Sequence, residues 1–97
     1  MMNMFKVRNM TSYKGTGDTV ANQFRIEIAT EKGFIEVFQS YKTVIAVKDE
    51  NGCVTLDKDN WNYSTTTSRY RNQFLNEKTA ETRKKIESGE YKLANLN

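Results

Sequence analysis

This chain offers almost none of the side chains that carry acid–base or metal chemistry. Its 97 residues include no histidine and one cysteine, Cys53. Histidine is the commonest general base, the commonest transition-metal ligand and the usual partner of a serine or cysteine nucleophile, so hydrolase triads are excluded. Zinc would need Cys53 together with three carboxylates. Asp57 and Asp59 resemble the start of a calcium loop, but Trp61 stands at position five and no glycine follows, so turn and capping roles are expected instead. Gly15-Thr16-Gly17 has Val20 where a dinucleotide loop needs its third glycine. Cys53 lies in a strand-like run without an electropositive neighbour and is expected to pack as an ordinary small side chain. No catalytic residue, cofactor or metal is therefore expected, and an enzyme built on Asp, Glu, Tyr or Lys alone is the weakest of three function classes.

The residue types that remain are those that hold partners. Trp61, Tyr63, Tyr13 and Tyr41 exceed what a small core needs, and aromatic residues with arginine are the usual anchors of protein interfaces. Tyr41, Trp61, Tyr63, Arg69 and Arg71 are accordingly the expected partner-binding residues, against core or loop packing as the ordinary role of the aromatics. Net charge is +3, and its placement is uneven. Residues 1–64 hold eight basic and eight acidic side chains, whereas residues 65–97 hold seven basic against four acidic. That segment motivates a second reading, a nucleic-acid-binding protein whose Arg69, Arg71, Arg83, Lys84 and Lys85 neutralise phosphates. Four interrupting acids and the core-like spacing of Tyr70 and Phe74 argue for an ordinary solvated helix instead.

These residues need elements to position them, and the hydrophobic pattern supplies an α+β domain. Phe5 and Val7 alternate with Lys6 and Arg8, predicting a short strand before the polar loop Thr11–Asp18. From Val20 the period is two, with Val20, Asn22, Phe24, Ile26 and Ile28 on one face and Ala21, Gln23, Arg25, Glu27 and Ala29 on the other. Thr30-Glu31-Lys32-Gly33 reads as a turn into an antiparallel partner over Phe34 to Tyr41. That second strand is apolar on both faces, so each side needs a cover. Thr43–Val47 and Cys53–Leu56 flank Asp49-Glu50-Asn51-Gly52, where Asn-Gly predicts a type I′ turn. The expected fold is an antiparallel meander of about four to five strands over residues 5–56, with a candidate last strand at 91–96.

Two helices are expected to pack this sheet, at about 65–76 and 79–88. Ser64 or Thr65 caps the first, whose apolar stripe is Thr67, Tyr70, Phe74 and Leu75, with Arg69, Asn72, Gln73 and Asn76 outward. Thr79 is expected to cap the second, which ends at Ser88 with Gly89 beyond it. A chain this long forms one domain, residues 1–97, that buries roughly 60–65% of its unfolded surface. The opening Met1-Met2-Asn3-Met4-Phe5 meets charge at Lys6 and Arg8, too soon for a signal peptide or membrane span, and one unpaired cysteine fits a reducing cytoplasm.

Four fragments in order, Val20-Ala21-Asn22-Gln23-Phe24, Phe38-Gln39-Ser40-Tyr41, Trp61-Asn62-Tyr63-Ser64-Thr65-Thr66-Thr67 and Tyr70-Arg71-Asn72-Gln73-Phe74-Leu75, resemble a small domain of unknown function from phages and mobile elements of Gram-positive bacteria. The likeness runs over roughly residues 19–97 and includes Ser88-Gly89-Glu90-Tyr91-Lys92-Leu93. It implies a phage-accessory setting and brings no catalytic residues. Small phage proteins often act by occupying a host macromolecule, and several anti-CRISPR proteins are single α+β domains of similar size. The expected function is thus a non-enzymatic inhibitor whose partner is a host protein or ribonucleoprotein complex, with nucleic acid as the alternative partner and no membrane. A second copy of the chain is a further candidate cover for the two-faced sheet.

Overall fold

A computed structural model describes residues 4–97; Met1, Met2 and Asn3, part of the opening read above, lie outside the described residues. The architecture is α+β, with a six-stranded sheet in the order of the chain and two helices. The strands are β1 (Phe5–Thr11), β2 (Thr19–Thr30), β3 (Gly33–Ser40), β4 (Thr43–Lys48), β5 (Val54–Asp57) and β6 (Lys92–Ala94). Helices α1 (Thr65–Leu75) and α2 (Thr79–Glu87) connect β5 to β6. All neighbours are antiparallel except β5 and β6, because the chain returns through two helices and re-enters the sheet in the direction it left. One more strand forms than the alternation predicts, and the last is shorter than 91–96: Tyr91 leaves the strand to fill the core, while Leu93 is exposed.

Register decides which side chains meet the helices. Arg25, Phe38, Ala46 and Leu56 are cross-strand partners in sequence and share one face. On that face Phe38 stacks on Phe74 of α1 with centroids 5.9 Å apart. Ile45, inserted by a bulge opposite Phe38 and Gln39, and Met10, inserted by another at the end of β1, complete the core with Val54, Leu56, Tyr70, Leu75 and Tyr91. Beyond the helices the same face is charged. Lys6, Glu27, Glu36 and Lys48 form one cross-strand row, Arg8 pairs with Glu27, and Arg25 pairs with Glu36 at 2.8 Å while lying over the Phe74 ring.

The even positions of β2 do not behave as one face. Asn22 adopts φ 66°, and this left-handed residue shifts the phase, so Val20 packs against the core while Phe24, Ile26 and Ile28 turn to the opposite side. Gln23, which alternation places on the face opposite Val20, is buried on the helix side as well. The Asn-Gly expectation is also corrected: only Gly52 has positive φ, and a type I′ turn needs two such residues. Asp49 organises the loop instead, its carboxylate accepting from the Asn51 and Cys53 N–H groups at 2.9 Å each. Cys53 consequently precedes the strand and is exposed, not packed.

Ser64 caps α1 through the Thr67 N–H at 3.1 Å, and Thr67, Tyr70, Phe74 and Leu75 form its buried stripe. Asn72 and Gln73 are only half outward. The cap of α2 is Lys78, one residue before Thr79, and Glu81 returns its carboxylate to the Lys78 N–H. Thr79 is freed to accept from Arg71. No helix among the described residues is long and apolar enough to cross a membrane.

Candidate partner-binding groove

The segment between β5 and α1 is shaped by Asp57. Its buried carboxylate accepts from the backbone and side chain of Asn60 at 3.0 and 2.7 Å and from Leu96 N–H at 2.9 Å. This turn holds Trp61 half-buried against the core and presents Asn62 and Tyr63 beside the first turn of α1. A groove of about 480 Å³ results, lined by Asn62, Tyr63, Ser64, Ser68, Arg69 and Asn72 among others. Two predicted binding residues therefore meet there. Tyr63 is 52% exposed, and Arg69 extends over the ring of Tyr13, which the β1–β2 loop lays edge-on against Tyr70.

Arg71 does not join them at the surface, and its assignment both as a partner contact and as a phosphate contact is corrected. It is completely buried. One guanidinium nitrogen donates to the Trp61 carbonyl and to Asn62 Oδ1; the other donates to Asn72 Oδ1 at 2.9 Å and to Thr79 Oγ1 at 2.7 Å. The fork geometry of arginine thus ties the 57–64 turn, α1 and the start of α2 together. No carboxylate touches it. Burial, opposed by Glu77 and reinforced by the neighbouring Arg83, lowers its pKa to about 10. Asn62, Asn72 and Thr79, which receive these bonds, line the groove, so the floor sits directly above a cation that no carboxylate contacts.

The remaining predicted cations are partly spent on the fold. Arg71 and Arg83 lie 5.1 and 5.2 Å from the Trp61 ring, so Trp61 is a packing platform and not a free anchor. Lys85 donates to Glu77 at 2.8 Å, a bond that raises its pKa. Lys84 and Arg69 remain exposed. Tyr41 is 58% exposed in the β3–β4 turn at φ 55°, its N–H bonded to the Asn22 carbonyl at 2.6 Å. A left-handed tyrosine costs roughly 1–2 kcal/mol relative to glycine. Tyr41→Gly is expected to raise stability by about 1 kcal/mol, read as a higher denaturant midpoint at unchanged slope.

Sequence reading missed the network around Glu77. This buried carboxylate accepts from Lys85, Thr82 and Tyr91, joining the α1–α2 link, α2 and the approach to β6. Burial pushes its pKa up, but these three donors outweigh that and hold it below the usual carboxylate range. Burial and the bond to Glu77 raise Tyr91 to about 12. In Asp57 burial is likewise overcome, by the Leu96 N–H and Asn60, and its pKa is lowered. A carboxylate with a depressed folded pKa contributes stability above its unfolded value, about 4, and loses it as pH falls through the folded value. Thermal melts from pH 6 downward should therefore show Tm falling below about pH 5, and Glu77→Gln should flatten that fall by removing one of the two groups.

All five of these displaced groups, Asp57, Arg71, Glu77, Lys85 and Tyr91, are held by hydrogen bonds within the fold. Among the described residues no group of three His, Cys, Asp or Glu side chains stands close enough to hold a metal. Residues 5–90 match the model of a family of unknown function (DUF8033), and the chain belongs to that family. No curated protein and no solved structure matches it.

Proposed function

From the resemblance of its sequence fragments to a phage and mobile-element domain and from the groove's chemistry, we propose that the protein is a non-enzymatic accessory protein of phages or mobile elements, acting in the host cytoplasm to bind and inhibit a host macromolecule as a counter-defence, anti-CRISPR-like inhibitor. The observation that carries this reading is the groove beside α1, where the exposed Tyr63 and Arg69 flank polar side chains over the buried Arg71. The first turn of α1 carries no acidic residue, so its N–H groups add to a positive field. That chemistry suits an acidic surface on a host protein or ribonucleoprotein complex, with an aromatic anchor beside the charge. Tyr41 supports the reading, since an exposed tyrosine kept in a conformation that favours glycine sacrifices stability for a surface ring.

The phosphate-binding alternative is weaker after the burial of Arg71 and the pairing of Lys85, which leave Arg69, Arg83 and Lys84 from its five cations. Affinity capture from the native host, with and without nuclease, separates the two. The expected result is a specific host protein retained after nuclease treatment and lost when Tyr63→Ala and Arg69→Ala are combined. Capture that vanishes with nuclease and with Lys84→Glu would move the assignment to nucleic acid. Recovery of no specific partner, together with unchanged phage fitness after deletion under active immunity, would sink the inhibitor reading.

A further inference from the structure

The sheet has a second face, and its chemistry is the reverse of what a lone domain in water requires. Val7, Ile26, Val37, Val47 and Thr55 are successive cross-strand partners, so they form one row across five strands. Phe5, Ile28 and Ile35 form a second row beside it. Neither row includes a charged side chain. The charged partners of β1 to β4, Lys6, Arg8, Arg25, Glu27, Glu36 and Lys48, are on the other face, with the helices, and charge enters the first row only at the sheet edge, where Lys92 of β6 pairs with Thr55. Yet Ile26, Ile28, Ile35, Val37 and Val47 are only partly buried, and Phe5 and Val7 are 61% and 55% exposed. Among the described residues no element covers them.

We infer that this bare face is the interface of a homodimer, in which two copies stack sheet against sheet. Three features select a second copy over another occupant. The two rows over β1 to β5 are uncharged, with Lys92 only at the β6 edge, so a partner must present an equally flat, uncharged apolar surface, and this chain's own face meets that requirement through a two-fold axis. Twisted sheets of the same hand pack aligned at about 30° with interdigitating side chains, and a copy has the matching twist by construction. At a strand spacing of about 4.8 Å and a rise of about 3.3 Å per residue, five strands by five residues span roughly 20 by 17 Å on each copy. The pair thus buries about 700 Å² of flat area and approaches roughly 1,000 Å² with side-chain relief, the lower bound for a specific contact. The result is a four-layer particle, helices outermost, with the α1 groove open on each copy.

Sedimentation equilibrium on the wild-type chain from micromolar to near-millimolar concentration tests this, and the expected mass is twice that of one chain. Val37→Asp places a carboxylate at the centre of the face and should weaken association about 100-fold or more. Val7→Asp, at an exposed position, should weaken it less and keeps the test decisive where Val37→Asp fails to fold. Lys84→Glu, on α2, should leave the mass unchanged. A wild-type monomer at every concentration overturns the inference, as does a folded Val37→Asp or Val7→Asp protein that dimerises as tightly as wild type, since its contact would then lie elsewhere. Neither outcome bears on the groove, whose partner is read by capture.

Discussion

Replacing Arg71 with methionine is expected to destabilise the protein by about 3 kcal/mol, more than most surface changes by several-fold. Methionine fills much of the same volume, so the loss is one of polar satisfaction. The Trp61 carbonyl would lose its donor, and Asn62 Oδ1, Asn72 Oδ1 and Thr79 Oγ1 would lose the charged one, keeping only the bond from Ser68 to Asn62 and the long contact between Asn72 and Thr79. Some of that cost is recovered, because the guanidinium no longer has to be buried and Asn62 and Asn72 can turn toward water in the groove. Arg71→Lys separates charge from geometry: a single ammonium cannot reach acceptors on both sides of the fork, so it should recover only a minor part of the loss. For a domain of this size 3 kcal/mol corresponds to a Tm drop of roughly 12–24 °C, measurable by circular dichroism. Melting within a few degrees of wild type for both variants would show that the clamp contributes little.

Phe38→Ala is expected to cost about 4 kcal/mol. Phe38 is fully buried at the centre of β3, where it stacks on Phe74 and neighbours Ala46 across the strand pair. The small Ala46 opposite cannot grow into the vacancy, and the backbone there is fixed by pairing on both sides, so most of the cavity persists. Phe74→Ala attacks the same contact from the helix, and it also strips the ring over which Arg25 and Lys48 lie. The double variant should lose less than the sum of the two singles, since the stacking energy is removed only once. Urea unfolding of the three variants gives the coupling directly; strict additivity would show that the stack contributes no more than burial.

How far these positions are legible in the sequence differs for a physical reason at each. The stripe of α1 follows from a 3.6-residue period, and Ser64 follows from its need to satisfy a free N–H. Arg71 stood within that stripe, four residues after Thr67 and three before Phe74, but its charge argued for the surface. Only a specific set of acceptors from Trp61, Asn62, Asn72 and Thr79 makes its burial affordable, and those come from three different segments. Glu77, Lys85 and Tyr91 were unreadable for the same reason: nothing in the local pattern announces that a link, a helix and a strand approach will converge. Cys53 and the Asn51-Gly52 turn failed differently, since Asp49 captured two N–H groups and moved the start of β5 by one residue.

The sequence by itself determined the α+β class, the order of its strands and helices, and the lack of any imidazole around which an active site could form. It placed apolar residues on both faces of β3 as well, because alternation assigns residues to two faces without regard to what lies beyond them. Only the tertiary structure decided which face the helices took. They docked on the side carrying Phe38, Ala46 and Leu56, where the bulge at Ile45 and the ring of Phe74 fill the space, and left the uninterrupted apolar rows open. A period of two is a local property of the backbone, whereas coverage depends on the free energy of packing segments far apart in the chain.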